Sequence, residues 1–98
     1  QSFEFCTDTL WKFLRLYFKK VAGVDLEPGP KHVFRYCFKA GITTEDETKH
    51  LINMVDDRNL SSHTYHEELA EELNERVESH YNLMKKIIDE VGAKLPRT

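Results

Sequence analysis

The sequence predicts an all-α protein, an antiparallel up-and-down bundle of the four-helix type. Apolar residues recur at three- and four-residue intervals over four segments, as on one face of a helix. No segment alternates apolar and polar residues in the way of a half-buried strand. Gly and Pro fall at the ends of these four segments, with short connections between them. The 98 residues suit one domain, residues 1–98, with a tail over 93–98 expected to fray.

The first helix is expected from Phe3 to Ala22. Glu4, Asp8, Lys12, Arg15 and Lys19 share one narrow polar face. The rest is broad and apolar, from Phe3 and Leu10 through Trp11, Phe13 and Leu14 to Phe18 and Val21. Such a helix requires cover on two sides, and Gly23 stops it. The break Glu27-Pro28-Gly29-Pro30 leads to a short second helix, about Lys31 to Ala40, burying Val33, Phe34, Cys37 and Phe38. Thr44 and Glu47 form a capping box that opens a third helix with a core face of Leu51, Met54 and Val55. Arg58 follows on or beside that face, where an arginine calls for a partner or a ligand. Thr64 and Glu67 form a second capping box. The last helix, about His66 to Val91, is expected to bury Leu69, Leu73, Val77, Tyr81, Met84 and Ile88, and to stop at Gly92.

Composition excludes several classes. Hydrophobic residues at 40% and charged residues at 32% describe a folded chain. No run approaches the roughly 18 apolar residues of a membrane span, and no basic start precedes an apolar run as in a secretory signal. The formal net charge of −3 means that any contact with RNA or nucleotide is local. Cys6 and Cys37 read as buried thiols of a reducing, cytoplasmic compartment. His50, His63 and His66 share no helical face and have no supporting Cys or carboxylate spacing, so no metal and no cofactor is expected. Trp11, Phe13, Tyr17 and Phe18 read as core or dimer packing rather than a base-stacking platform. The carboxylates Glu67, Glu68, Glu71, Glu72 and Glu75 read as a solvated face beginning at a helix N-terminus.

The chemistry concentrates in Arg58-Asn59-Leu60-Ser61-Ser62-His63-Thr64-Tyr65. The guanidinium of Arg58 offers a planar fork of donors matched to phosphate oxygens. The imidazole of His63 can move a proton near neutral pH. Together they could cut RNA without a metal: His63 moves the proton, Arg58 holds the charged phosphorus centre, and Asn59 orients either. Spacing alone favours a plainer arrangement, with Arg58 capping carbonyls at a helix end and His63 in a solvated turn.

The same octet resembles the Arg–polar–x–x–x–His motif of the HEPN superfamily. Its extension to Tyr65 resembles the Arg-x4-His-x-Tyr form of HepT-type toxins. Further blocks, Gln1-Ser2-Phe3-Glu4-Phe5, Leu10-Trp11-Lys12, Phe38-Lys39-Ala40-Gly41 and Asp57-Arg58-Asn59, are similar to the nucleotidyltransferase substrate-binding protein family within HEPN. The resemblance implies an up-and-down bundle that forms a homodimer and partners a minimal nucleotidyltransferase in bacteria or archaea. It implies the HEPN component of a toxin–antitoxin pair. The alternative it implies is an active metal-independent RNase with Arg58 and His63 catalytic and Asn59 supporting, silenced by AMP addition at Tyr65. Members of that family usually carry one more helix before the block that here begins at Gln1. A covering helix of that kind, or a partner chain, fits the apolar breadth of the first segment.

Overall fold

The structure is a computed structural model; it describes residues 2–61 and 67–95, and of Glu67 and Leu69 the backbone alone. The described residues form four helices: α1 (Phe3–Ala22), α2 (Pro30–Lys39), α3 (Glu45–Ser61) and α4 (Glu67–Lys94). No strand occurs among the described residues. Among the described residues no helix is long and apolar enough to cross a membrane.

The helix starts and stops follow local chemistry. Ser2 caps α1, its hydroxyl oxygen accepting from the Phe5 amide at 3.1 Å. Gly23 ends α1 at φ 67°, in the left-handed region that a side chain disfavours. The Gly23 and Val24 amides then donate to the Lys19 and Phe18 carbonyls that the helix leaves unpaired. Pro30 sits in the first turn of α2, where its missing N–H costs nothing. The capping box of α3 is closed in both directions. Glu47 N–H donates to Thr44 Oγ1 at 3.1 Å, and Thr44 N–H donates to Glu47 Oε1 at 2.9 Å. Thr64 of the second box lies outside the described residues.

The core joins all four helices. Leu14, Val33, Phe34, Leu51, Met54, Ile87 and Val91 are its fully buried centre. α3 runs antiparallel to α4: Lys86 reaches Glu47 near one end of α3, and Arg76 reaches Asp57 near the other. It also runs antiparallel to α1, since Asp8 meets Arg58 and Glu4 meets Ser61. The segment between α1 and α2 doubles back along α1, where Arg15 Nε donates to the Leu26 carbonyl at 2.7 Å.

Several expectations need correction. α4 continues through Gly92 to Lys94, beyond the stop expected at Gly92. Ile88 is exposed, whereas His80, Ile87 and Val91 are buried. The cause is geometric. An i, i+4 series such as Leu73, Val77, Tyr81 drifts about 40° per step around an α-helix and leaves the buried face. The positions that stay on it from Leu73 are His80, Met84, Ile87 and Val91. Phe38, expected inside, is exposed near the end of α2. The two-sided cover expected for α1 is also partial. Phe5, Leu16 and Val21 are exposed, and Cys6, Thr9, Leu10, Phe13 and Ile88 line an apolar groove of about 250 Å³ between α1 and α4. Cys37 is buried, but Cys6 is only half-buried, and both are free thiols.

Candidate functional site

The last turns of α3 carry three consecutive charged residues, Asp56, Asp57 and Arg58. Successive residues on a helix point about 100° apart, so each faces a different neighbour. Asp56 takes an ion pair from Lys31 of α2 at 2.6 Å. Asp57 faces α4, where Arg76 binds it with two N–H groups at 2.8 and 2.9 Å and His80 binds it at 2.7 Å. Arg58 faces α1. Its Nε and Nη2 groups donate to the two carboxylate oxygens of Asp8 at 3.0 and 2.9 Å. One short stretch thus ties α3 to each of the other three helices.

The Arg58–Asp8 pair is a fork-to-fork contact on the edge of solvent, with the two side chains 28% and 33% exposed. The hydrogen bond from Arg58 holds the Asp8 carboxyl below its ordinary range, and the same bond raises Arg58 further. The sequence marked Arg58 as a cation in need of a partner; the structure supplies Asp8, fifty positions away. Nearby, the Ser61 hydroxyl lies 2.7 Å from both Glu4 Oε1 and the Arg58 carbonyl, so one hydrogen serves two acceptors. That contact ties the end of α3 to the first turn of α1. Asn59 is exposed. Ser62, His63, Thr64, Tyr65 and His66 lie outside the described residues, so of the sequence-predicted site residues the fold positions Arg58 and Asn59.

A second polar cluster sits on the α4 side of the same turn. The side chain of Asp57 is 11% exposed and that of His80 only 3%. Burial pushes the Asp57 carboxyl up, but the hydrogen bonds from Arg76 and His80 outweigh it and the net shift is downward. A carboxylate can only accept, so His80 Nε2 carries a hydrogen toward Asp57. The other nitrogen, Nδ1, faces His50 Nε2 of α3 at 2.9 Å. The Phe3 ring stacks on His80 at 5.4 Å, closing the cluster from α1. Beside it opens a cleft of about 390 Å³ lined by residues of α3 and α4, among them Asp46, Lys49, His50, Glu75 and Ser79. Among the described residues no three His, Cys, Asp or Glu side chains converge as a metal centre.

Sequence reading did not find this cluster. The available signal was the placement of polar residues at core spacing: His50 and Asp57 are seven apart on α3, and Arg76 and His80 are four apart on α4. Tyr17 and Phe18, weighed as a possible base-stacking surface, are core residues in edge-on contact with each other at 5.4 Å.

Comparison with known proteins agrees with the bundle. Residues 1–93 match the family described as nucleotidyltransferase substrate binding protein like. A protein of Thermus thermophilus, known from its crystal structure, superposes with a TM-score of 0.85 at 31% identity. The match covers 91% of this chain and 74% of that one. No curated protein matches significantly. With the family pattern running from Gln1 through α4, the chain belongs to the nucleotidyltransferase substrate-binding-protein-like family.

Proposed function

We propose that this chain is the partner and substrate-presenting subunit of a minimal nucleotidyltransferase, and the HEPN component of a toxin–antitoxin pair. The observation that carries the reading is the anchoring of Arg58 on the last turn of α3, immediately before the segment holding His63 and Tyr65, and it is supported by a family whose description is nucleotidyltransferase substrate binding protein like. In this reading Tyr65 is the acceptor. Its phenolic oxygen attacks the α-phosphorus of ATP, a tyrosyl–AMP ester forms, pyrophosphate leaves, and the phenolic proton passes to solvent. Two chains pair as a homodimer, with two Arg58–His63 sets facing one cleft.

A second reading is a metal-independent RNase. It is supported by the partial exposure of the Arg58 fork beside the motif segment. His63 would take the proton of a ribose 2′-hydroxyl, the freed oxygen would attack phosphorus, and the 5′-oxygen would leave and be reprotonated. Arg58 would hold the crowded phosphorus centre, with Asn59 supporting. The contact with Asp8 weighs against it as a resting state, because a phosphate must displace a carboxylate already bound by both prongs.

The decisive experiment combines the chain with its neighbouring nucleotidyltransferase and ATP and follows its mass. A gain of one AMP, lost in Tyr65→Phe, is the expected result; an unmodified chain refutes the acceptor role. Incubation of AMP-free protein with cellular RNA in EDTA separates the second reading. Cleavage no faster than in Arg58→Ala and His63→Ala refutes the RNase. Light scattering is expected to report a dimer, and a monomer refutes a cleft built from two chains.

A further inference from the structure

We propose that His50 and His80, backed by Asp57, form a proton-operated latch between α3 and α4: the pair takes up one proton with its hydrogen bonds intact and is pushed apart by a second.

The geometry sets this proton count. In the neutral pair, Asp57 accepts from His80 Nε2, and His80 Nδ1 accepts the hydrogen on His50 Nε2 across 2.9 Å. A single hydrogen occupies the gap between the rings. One added proton can sit on His50 Nδ1 without touching that bond. Alternatively the shared hydrogen moves to His80 Nδ1, and the bond survives reversed. Asp57, 2.7 Å from His80, offsets the charge in either case. A second proton leaves no such arrangement. Both facing nitrogens then carry hydrogens, and two cationic rings meet at 2.9 Å with no acceptor between them. The rings must separate.

The surroundings decide which ring moves. His80 is buried, stacked on the uncharged ring of Phe3 and hydrogen-bonded to Asp57. His50 is half-buried and lines the cleft. From α3 the cleft is faced by Asp46 and Lys49, and from α4 by Glu75 and Arg76. Arg76 is engaged by Asp57, and Lys49 by Glu45. The carboxylates of Asp46 and Glu75 are therefore available to a charged imidazole swinging outward. Ser79 Oγ, 3.5 Å from His50 Nε2, lies on the same path. The balanced lining gives no net attraction for an anion, so the cleft is read as the space His50 moves into.

Desolvation and the charge of His80 lower the His50 pKa, against a smaller raising effect of Asp57. The unfolded chain therefore binds more protons at this position, and the folding contribution is complete above the ordinary histidine range near 6.5 and is lost as pH falls below it. Opening loosens the first half of α4, the helix into which residues 62–66 lead. The latch does not depend on what the motif segment does, and it can hold if that reading fails.

The test follows the imidazole resonances of the full chain from about pH 8 to about pH 5, with amide exchange protection of α4 at each step. His32, exposed on α2, is the internal reference. The expected result is two midpoints shared by His50 and His80. Protection over the first half of α4 is expected to fall by up to about tenfold per pH unit between the ordinary histidine range and the lower midpoint, and to level off below it. In His50→Gln, whose amide still donates to His80 but takes no second proton, that pH dependence disappears. Independent single-step responses of the two rings overturn the proposal. So does α4 protection in His50→Gln that falls with pH as in the parent.

Discussion

Replacing Asp57 with alanine is expected to cost more stability than any other single change to a surface or boundary charge in this chain. Truncation leaves the buried His80 N–H without an acceptor, a loss of about 1–3 kcal/mol. It also removes the two-pronged bond to Arg76. That side chain is 45% exposed, so solvent screening limits this part to about 1 kcal/mol or less. The total is about 1–4 kcal/mol, or about 5–30 °C in Tm for a domain of this size. Asp57→Asn separates the contributions, because its carbonyl oxygen still accepts from His80 while the charge is gone; about 1 kcal/mol is expected. The assay is urea unfolding followed by far-ultraviolet circular dichroism at fixed protein concentration, with the m-value checked for constancy. Asp8→Ala is the control, since Asp8 and Arg58 are each about a third exposed and their pair is worth about 1 kcal/mol or less. If Asp57→Ala costs no more than Asp8→Ala, the view of Asp57 as the buried anchor between α3 and α4 is refuted.

Three further predictions concern separate parts of the molecule. The hydrogen bond from Arg58 lowers the Asp8 pKa from its ordinary value of 3.8, so the stability due to this pair is complete above that value and is lost as pH falls through the folded-state value. In an acid series the difference between the parent and Asp8→Asn is expected to be flat near neutrality and to vanish in strong acid; a gap unchanged at low pH contradicts it. Burial pushes the Cys37 thiol up to about 12, so a thiol reagent at mildly alkaline pH is expected to label the half-buried Cys6 and spare Cys37 until the chain unfolds. Equal labelling rates in the native state count against this. Gly92 lies inside α4 at ordinary helical φ, with open space where a methyl group would stand, so Gly92→Ala is expected to stabilise by about 0.5–1 kcal/mol. Gly23→Ala, at φ 67°, is expected to destabilise by about 1 kcal/mol or more. Thermal melts of the two variants that shift in the same direction would contradict both assignments.

The elements that were legible in the sequence are those set by neighbours in the chain. Ser2, Gly23, Pro30 and the Thr44–Glu47 box act over three or four residues, and the starts and stops they imply occur where expected. Gly92 misled because its stop signal is weak beside the packing of Val91, which is fully buried and holds the helix on course. The face of α4 misled for another reason. An apolar series at every fourth position looks continuous in sequence yet winds away from the core, and only contact with α3 fixes where the buried stripe runs.

At the site, need was legible but pairing was not. Arg58 stood out because a guanidinium at the edge of an apolar stripe requires an acceptor. That the acceptor is Asp8 depends on how α1 and α3 cross, which no local pattern encodes. Asp56 and Asp57 are chemically identical neighbours in sequence. One reaches solvent beside Lys31 and the other is buried against His80, because a rotation of one residue separates them on the helix.

That rotation suggests what Asp56, Asp57 and Arg58 contribute together. The pairs of Asp56 and Arg58 are partly exposed and add little to stability singly. Their directions matter more than their energies. With partners on α2, α4 and α1, a turn of α3 about its axis moves all three contacts away from their present geometry. The polar contacts therefore specify the angular setting of α3, in the turn that directly precedes the motif segment. In the role proposed for it, Arg58 must be aimed as well as charged, and its aim is set by carboxylates and cations on the other three helices.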